Sequence, residues 1–299
     1  MLLGAIAVLG LSGCSLLNTV EAPCRDGGRC SSATNDLAVD LAGDLVNPTR
    51  TGMTYVPGGT YLLGASSVPG TPGYDAVAQV NEGPVYAVQV APFFLDQSEV
   101  TIAAYRSCRC LSDPATGGLC NWSATPGDRE HHPVNCVTYR QAQAYCASIG
   151  KRLPTSYEWE VAARGGSATM TGARYPSGET VPLSSADQCW NRRGSRNCDM
   201  GICDRGTCPA EQGERTLLGK ITPLVGILGL SDNVREWTAT PFCPLPSDSA
   251  CGLTERTIRG GEFGAAEAIE LRAARRQPMD ENLNADTVGF RCAADAPGG

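Results

Sequence analysis

Between Thr138 and Gly166 the apolar positions fall into two short amphipathic helices. Ala142, Tyr145, Cys146 and Ile149 recur at i, i+3, i+4 and i+7, which places one apolar stripe along a helix. Thr138 followed by Gln141 is a capping-box pattern, in which each side chain answers an orphan backbone N–H of the other residue. Gly150 then supplies a left-handed stop. Pro154 holds Leu153 extended, and Thr155 with Glu158 repeats the capping pattern ahead of a second helix. Trp159, Ala162 and Ala163 face the core side of that helix, and Arg164 with Gly165 and Gly166 closes it. The spacing predicts helix, stiff elbow, helix, with the remaining chain packed around the pair.

Upstream the period changes to two. Met53–Gly64 (MTYVPGGTYLLG) and Val85–Asp96 (VYAVQVAPFFLD) read as strands. In the second, Tyr86, Val88 and Val90 share one face and Val85, Ala87 and Gln89 the other. Gly58–Gly59 fits a hairpin turn, and Thr101 caps a short helix over Ile102–Arg106. Residues 166–220 are mostly Gly, Ser, Arg and Cys and read as loop pinned by disulfides. The fold class is therefore α+β and loop-rich, in keeping with 35 Gly and 20 Pro in 299 residues.

Charge and cysteine content narrow the function classes. A net charge of −7 with no basic stripe argues against nucleic acid as a partner. Fifteen cysteines suit an exported chain whose thiols are oxidised. Metal binding is the competing reading for Cys108 with Cys110 and for Cys198, Cys203 and Cys208, but neither group has paired C-x-x-C spacing, and His131 and His132 are the only histidines. Local disulfides are expected for Cys189–Cys208, Cys198–Cys203 and Cys243–Cys251, with Cys108, Cys110, Cys120 and Cys136 forming two bridges of open connectivity.

The N-terminus begins MLLGAIAVLGLSGC, an apolar run too short to span a membrane, with small residues ahead of Cys14. It resembles a bacterial lipoprotein signal. That resemblance implies cleavage after residue 13, a lipid on Cys14, and, with Ser15 rather than an acidic residue next, sorting to the outer membrane. Residues 14–50 carry scattered Asp, Ser, Asn and Gly and suit a flexible tether, which leaves 51–295 as the folded domain. Removing Cys14 from the count leaves an even set of cysteines to pair.

Five ordered blocks carry a second resemblance: MTYVPGGTYLLG, the HPV of His132–Val134, GKRLPT-x-x-EWE-x-AARGG, the DNVREW of Asp232–Trp237, and RGG at Arg259–Gly261 leading to GFR at Gly289–Arg291. Together they resemble the formylglycine-generating enzyme, or sulfatase-modifying factor, family. The resemblance implies the fold of those enzymes, related to C-type-lectin-like domains. It implies a Cys146–Cys292 disulfide, and it puts alanines, Ala163 and Ala273, where the family has a second bridge. It also implies structural calcium on Asn233, the Val234 carbonyl and Glu236, with Asn191 at a second calcium site. The competing reading is that Glu236 pairs with an arginine such as Arg164 or Arg291.

The family's oxidases hold copper(I) with two cysteines between RGG and GFR, a soft pair suited to that ion. Here Ala265 and Ala268 occupy those positions, and no cysteine lies between Cys251 and Cys292, so copper is not expected. A hydrolase is not indicated either, since no G-x-S-x-G elbow occurs. Arg272, Arg275 and Arg276 are expected to make ion pairs rather than to bind an anionic substrate. Two function classes remain. One is a non-catalytic binding or scaffolding module at the cell envelope, with an envelope or secreted protein or peptide as ligand, like the family's lipoprotein assembly components in gliding-motility machinery. The other is a protein-cysteine oxidase or another oxidative branch with an altered site; the iron-dependent branch needs three histidines, and this chain has two.

Overall fold

A computed structural model describes residues 48–108, 112–165, 167–180, 189–190, 206–210, 226–246, 251–252 and 254–297. Within them lie nine strands and three α-helices. The two predicted helices form as their local chemistry dictates. Helix α2 spans Tyr139–Ser148 and α3 spans Ser156–Arg164, each opened by a complete capping box, from Thr138 with Gln141 and from Thr155 with Glu158. Gly150 takes φ of 69°, the left-handed stop expected of it. Helix α1 spans Ile102–Cys108, one turn fragment longer than the predicted Ile102–Arg106.

Helix α3 departs from the amphipathic reading. Glu160 and Arg164, on its polar side, are as buried as Trp159, Ala162 and Ala163, so the helix runs through the interior.

Strands β1 (Met53–Val56) and β2 (Gly59–Leu63) form where the sequence places strands but do not make the hairpin that Gly58–Gly59 suggested. Strand β1 pairs with β4 (Phe93–Asp96), whose other edge pairs with β9 (Ala293–Asp295); β2 pairs with β3 (Tyr86–Val90) in a separate sheet. The glycines are a crossing point between sheets: a Cβ on Gly58 would come 2.7 Å from Pro92, at the matching crossing between β3 and β4. The third sheet has strand order β7-β6-β5-β8, from β5 (Arg235–Pro241), β6 (Glu255–Arg259), β7 (Arg276–Asp280) and β8 (Val288–Gly289), with only the β5–β8 pair parallel.

Two larger apolar cores form among the described residues, with smaller clusters beside them. In one, α1 and α2 close on the third sheet through Ile102, Tyr145, Trp237 and Phe290, with Tyr105 stacked on Tyr145 at 5.4 Å. In the other, α3 brings Trp159 and Ala162 against Leu63, Phe93 and Leu95. Ala163 and Ala273 both belong to this second core.

The disulfides Cys146–Cys292, Cys189–Cys208 and Cys243–Cys251 are present, and Cys120 joins Cys136. Cys108 is also in a disulfide. Cys110 and the expected Cys198–Cys203 pair lie outside the described residues, as do Cys14 and the segment 1–47. No helix among the described residues is long and apolar enough to cross a membrane.

Cys146–Cys292 closes the largest of these loops, with partners 146 residues apart, and ties α2 to the C-terminal strand. Replacing both cysteines by alanine is expected to lower unfolding free energy by about 4–5 kcal/mol, because so long a loop most restricts the unfolded chain. Urea unfolding measures it; an unchanged midpoint would contradict this placement.

Candidate functional site

The sequence blocks converge on two buried ion-pair centres. At the first, Glu236 leaves β5 pointing inward and is wholly buried. The Nε of Arg291 donates to both of its oxygens at 2.9 Å, and Arg291 Nη2 lies 2.7 Å from Oε1. Trp159 Nε1 donates to Oε2 at 2.8 Å. Arg291 also donates to the Asp96 and Leu228 carbonyls. Burial alone would lower the pKa of Arg291, but Glu236, with Glu99 and Asp96, raises it on balance. Thus the DNVREW, EWE and GFR blocks meet at one carboxylate.

At the second centre, Glu160 on α3 accepts from Arg259 Nη2 at 2.8 Å, Arg164 Nη1 at 3.0 Å and the Gly64 amide at 2.7 Å. Burial would raise its pKa, yet the two guanidiniums hold it below the ordinary value. This centre joins MTYVPGGTYLLG, AARGG and RGG. The HPV block locks in differently: His132 Nδ1 lies 2.8 Å from Thr207 Oγ1, and a Cβ on Gly289 would sit 2.7 Å from the Val134 carbonyl.

Ala265 and Ala268 lie downstream of RGG. Ala265 is fully buried and packs with Tyr175 and Leu271; Ala268 opens a short 3-10 helix, with Trp190 packed against the same cluster. Charged pairs flank them, Arg235 with Glu262 at 3.2 Å and Arg275 with Glu270 at 3.6 Å. Every cysteine among the described residues is in a disulfide. A methyl group carries neither a metal ligand nor a thiolate, so copper chemistry has no donor pair at these two positions.

The residues named for calcium are placed less simply. DNVREW is not a turn throughout: Asn233 has φ of 62°, and β5 begins two residues later, which sends Glu236 to Arg291. The Asn233 Oδ1 accepts the Cys208 amide at 2.9 Å. Val234 is fully buried, and Asn191 lies outside the described residues. Among the described residues no three His, Cys, Asp or Glu side chains converge as a metal-ligand group.

Sequence reasoning missed a residue here. Glu99 is buried, and neither of its carboxylate oxygens has a hydrogen-bond partner. Burial, with Glu236 and Asp232 nearby, pushes its pKa well up despite Arg291. Asp232, which accepts the Cys189 amide at 2.6 Å, is likewise pushed up to about 6 by burial. One arginine therefore faces more carboxylates than it neutralises. No periodicity marks Glu99, since its environment comes from elements more than a hundred residues away.

Of the three arginines near the C-terminus, two behave as expected. Arg272 donates twice to Glu82 at 2.6 Å and once to Asp75 at 3.2 Å, and Arg275 pairs with Glu270. Arg276 corrects the expectation: it has no carboxylate within ion-pair distance among the described residues, because its guanidinium points to the Cys243 carbonyl at 2.7 Å and lies over the Phe242 ring.

The model of the sulfatase-modifying factor enzyme 1-like domain matches residues 40–296. The chain belongs to that family. Within it, the formylglycine-generating enzyme of Thermomonospora curvata is 29% identical over 306 aligned positions, covering 82% of this chain and 93% of that enzyme. The inactive Cα-formylglycine-generating enzyme 2 of Bos taurus is 27% identical over 303 positions, covering 85% and 91%. PvdO from Pseudomonas aeruginosa superposes with a TM-score of 0.57 at 25% identity, covering 82% of this chain and 94% of that one. The α+β, loop-rich, disulfide-stapled architecture is that of the sulfatase-modifying factor family.

Because both partners of the first centre are excluded from water, Arg291→Met is expected to cost about 3–5 kcal/mol by leaving Glu236 unpaired. The paired replacement Glu236→Gln/Arg291→Met should recover part of that loss. Denaturant midpoints check this; an additive double variant would contradict a direct pair.

Proposed function

We propose that this sulfatase-modifying factor domain is a non-catalytic binding or scaffolding module, carried at the bacterial cell envelope by a lipid on Cys14. The observation that carries the reading is the buried Ala265–Tyr175–Leu271 packing where the family's oxidases place a thiol. The disulfide state of every described cysteine supports it, and so does the 27% identity to a relative named as inactive. An envelope or secreted protein or peptide is the ligand class this reading implies, and nucleic acid is disfavoured by the net charge of −7. The competing reading, oxidation of a protein cysteine, draws on the kinship to the Thermomonospora curvata enzyme.

The deciding experiment incubates the purified protein with copper(I), oxygen and a peptide bearing a sulfatase-type cysteine motif, followed by mass spectrometry. No aldehyde product is expected, and turnover above the copper-only control would establish the oxidase. In bacterial cells expressing the full chain, Cys14→Ala should shift the protein from the membrane to the soluble fraction; unchanged fractionation would defeat the lipid anchor.

Calcium enters the proposal as a structural ion. The chemistry of the site fits a hard cation better through Glu99 than through Glu236, since Glu99 holds two buried acceptor oxygens without donors, whereas both Glu236 oxygens accept from Arg291. Bound calcium would supply charge neutralisation only. Calcium is expected to raise the melting temperature by a few degrees, and Glu99→Gln should remove the response. A chelator-insensitive transition in the parent protein would argue against the ion.

A further inference from the structure

Strand β1 runs into β2 through Pro57 and Gly58, and β3 runs into β4 through Ala91 and Pro92. Because β1 pairs with β4 and β2 with β3, one antiparallel ribbon changes sheet at these four residues. The crossing leaves a cleft of about 660 Å³, open to solvent and lined in part by Tyr55, Pro57, Gly58, Gln89, Ala91 and Pro92. That volume is of the size that ligand sites have. Its walls are fixed by the backbone and by packing. A Cβ on Gly58 would meet the Val90 carbonyl at 3.1 Å as well as Pro92, so only glycine fits there. The half-buried Tyr55 ring is held edge-on against Phe94, 5.7 Å between centroids.

The lining selects a ligand by its charge and by its hydrogen bonding. No lining residue is an acid, a lysine, an arginine or a histidine, so an ionic ligand finds no counter-charge. Acceptors around the cleft are already engaged. The Pro57 carbonyl accepts the Tyr61 hydroxyl at 2.6 Å, the Pro92 carbonyl accepts the Ala296 amide at 3.3 Å, and Gln89 Oε1 accepts the Thr60 hydroxyl at 2.7 Å. Donors are free: neither the Tyr55 hydroxyl nor Gln89 Nε2 donates to another described residue. The matching ligand is therefore uncharged and largely apolar, with carbonyl oxygens to offer and few N–H or O–H groups to satisfy. A run of prolines has this character, since it carries no N–H and leaves its carbonyls outside any internal hydrogen bond. A saccharide does not, because each of its hydroxyls brings a donor.

We propose that this cleft binds a proline-rich segment of a partner protein in the polyproline II conformation. Its rings pack against Tyr55, Pro57 and Pro92, and its carbonyls accept from the Tyr55 hydroxyl and Gln89 Nε2. The stiffness of such a segment keeps the ordering cost low, which suits a shallow, open cleft. The cleft shares no lining residue with the cluster of Ala265, Tyr175 and Leu271. It gives the ligand of a binding module a chemical class, yet stands on its own geometry, and turnover in the copper assay would leave it untouched.

The test is isothermal titration calorimetry on the purified protein, with acetyl-decaproline amide, a glycine–serine peptide of the same length and the tetramer of N-acetylglucosamine as probes. Saturable binding of decaproline is expected, with none of the other two. Ala91→Arg, at an exposed position, fills the cleft and should abolish binding at an unchanged melting temperature. Gln89→Ala, also exposed, removes one donor and should weaken binding about three- to tenfold. No saturable binding of decaproline at millimolar concentration would overturn the proposal, as would equal binding of the glycine–serine peptide. The sugar binding as well as decaproline, or better, would assign the cleft to a saccharide and likewise overturn it. Parent-like affinity in a folded Ala91→Arg or in Gln89→Ala would place decaproline elsewhere on the molecule. If Ala91→Arg lowers the melting temperature, the Gln89→Ala titration still decides.

Discussion

The ion pair between Glu236 and Arg291 is the constraint on which the rest of this structure depends. Both side chains are fully buried, and the pair is surrounded by the Trp159 indole and the Asp96 and Leu228 carbonyls. Such a pair contributes little net stability compared with an apolar filling of the same volume, since desolvation offsets the attraction. What it imposes is arrangement. Strand β5, helix α3 and the chain entering β9 must meet at one place and in one register, or a buried charge is left without a partner. Glu160 imposes the same condition on α3, the start of β6 and the end of β2.

This explains why blocks scattered along the sequence carry so much of the family resemblance while none of them need be catalytic. Trp159, Glu160, Arg164, Glu236, Arg259 and Arg291 are engaged with one another, and their polar groups are directed inward. The position where chemistry would be sought, at Ala265 and Ala268, is instead apolar packing against Tyr175 and Leu271. A frame held by buried ion pairs and disulfides can lose a pair of thiols without losing its shape, and that is the physical basis for reading this domain as a binder.

Local chemistry was legible in the sequence and distant chemistry was not. Both capping boxes, the Gly150 stop and the alternating face of β3 follow from residues within one or two turns of each other. Pairing between strands does not: Gly58–Gly59 looked like a hairpin but separates two sheets, because β4 rather than β2 partners β1. Glu236 leaves β5 to meet Arg291, 55 positions away, a pairing that the sequence offered only as one of two readings. Glu99 left no pattern at all, and nothing in the DNVREW block marked Asp232 as a buried carboxylate, since burial by remote segments creates both environments. The Cys146–Cys292 bridge came from family resemblance, and no periodicity could have supplied it.

The central claim is that sulfur in this domain holds shape and performs no chemistry. Counting free thiols tests it most directly: the purified protein is unfolded without reductant, alkylated, digested and mapped by mass spectrometry. The account predicts no alkylated cysteine within residues 51–295. Stoichiometric alkylation of two cysteines in that span would contradict it.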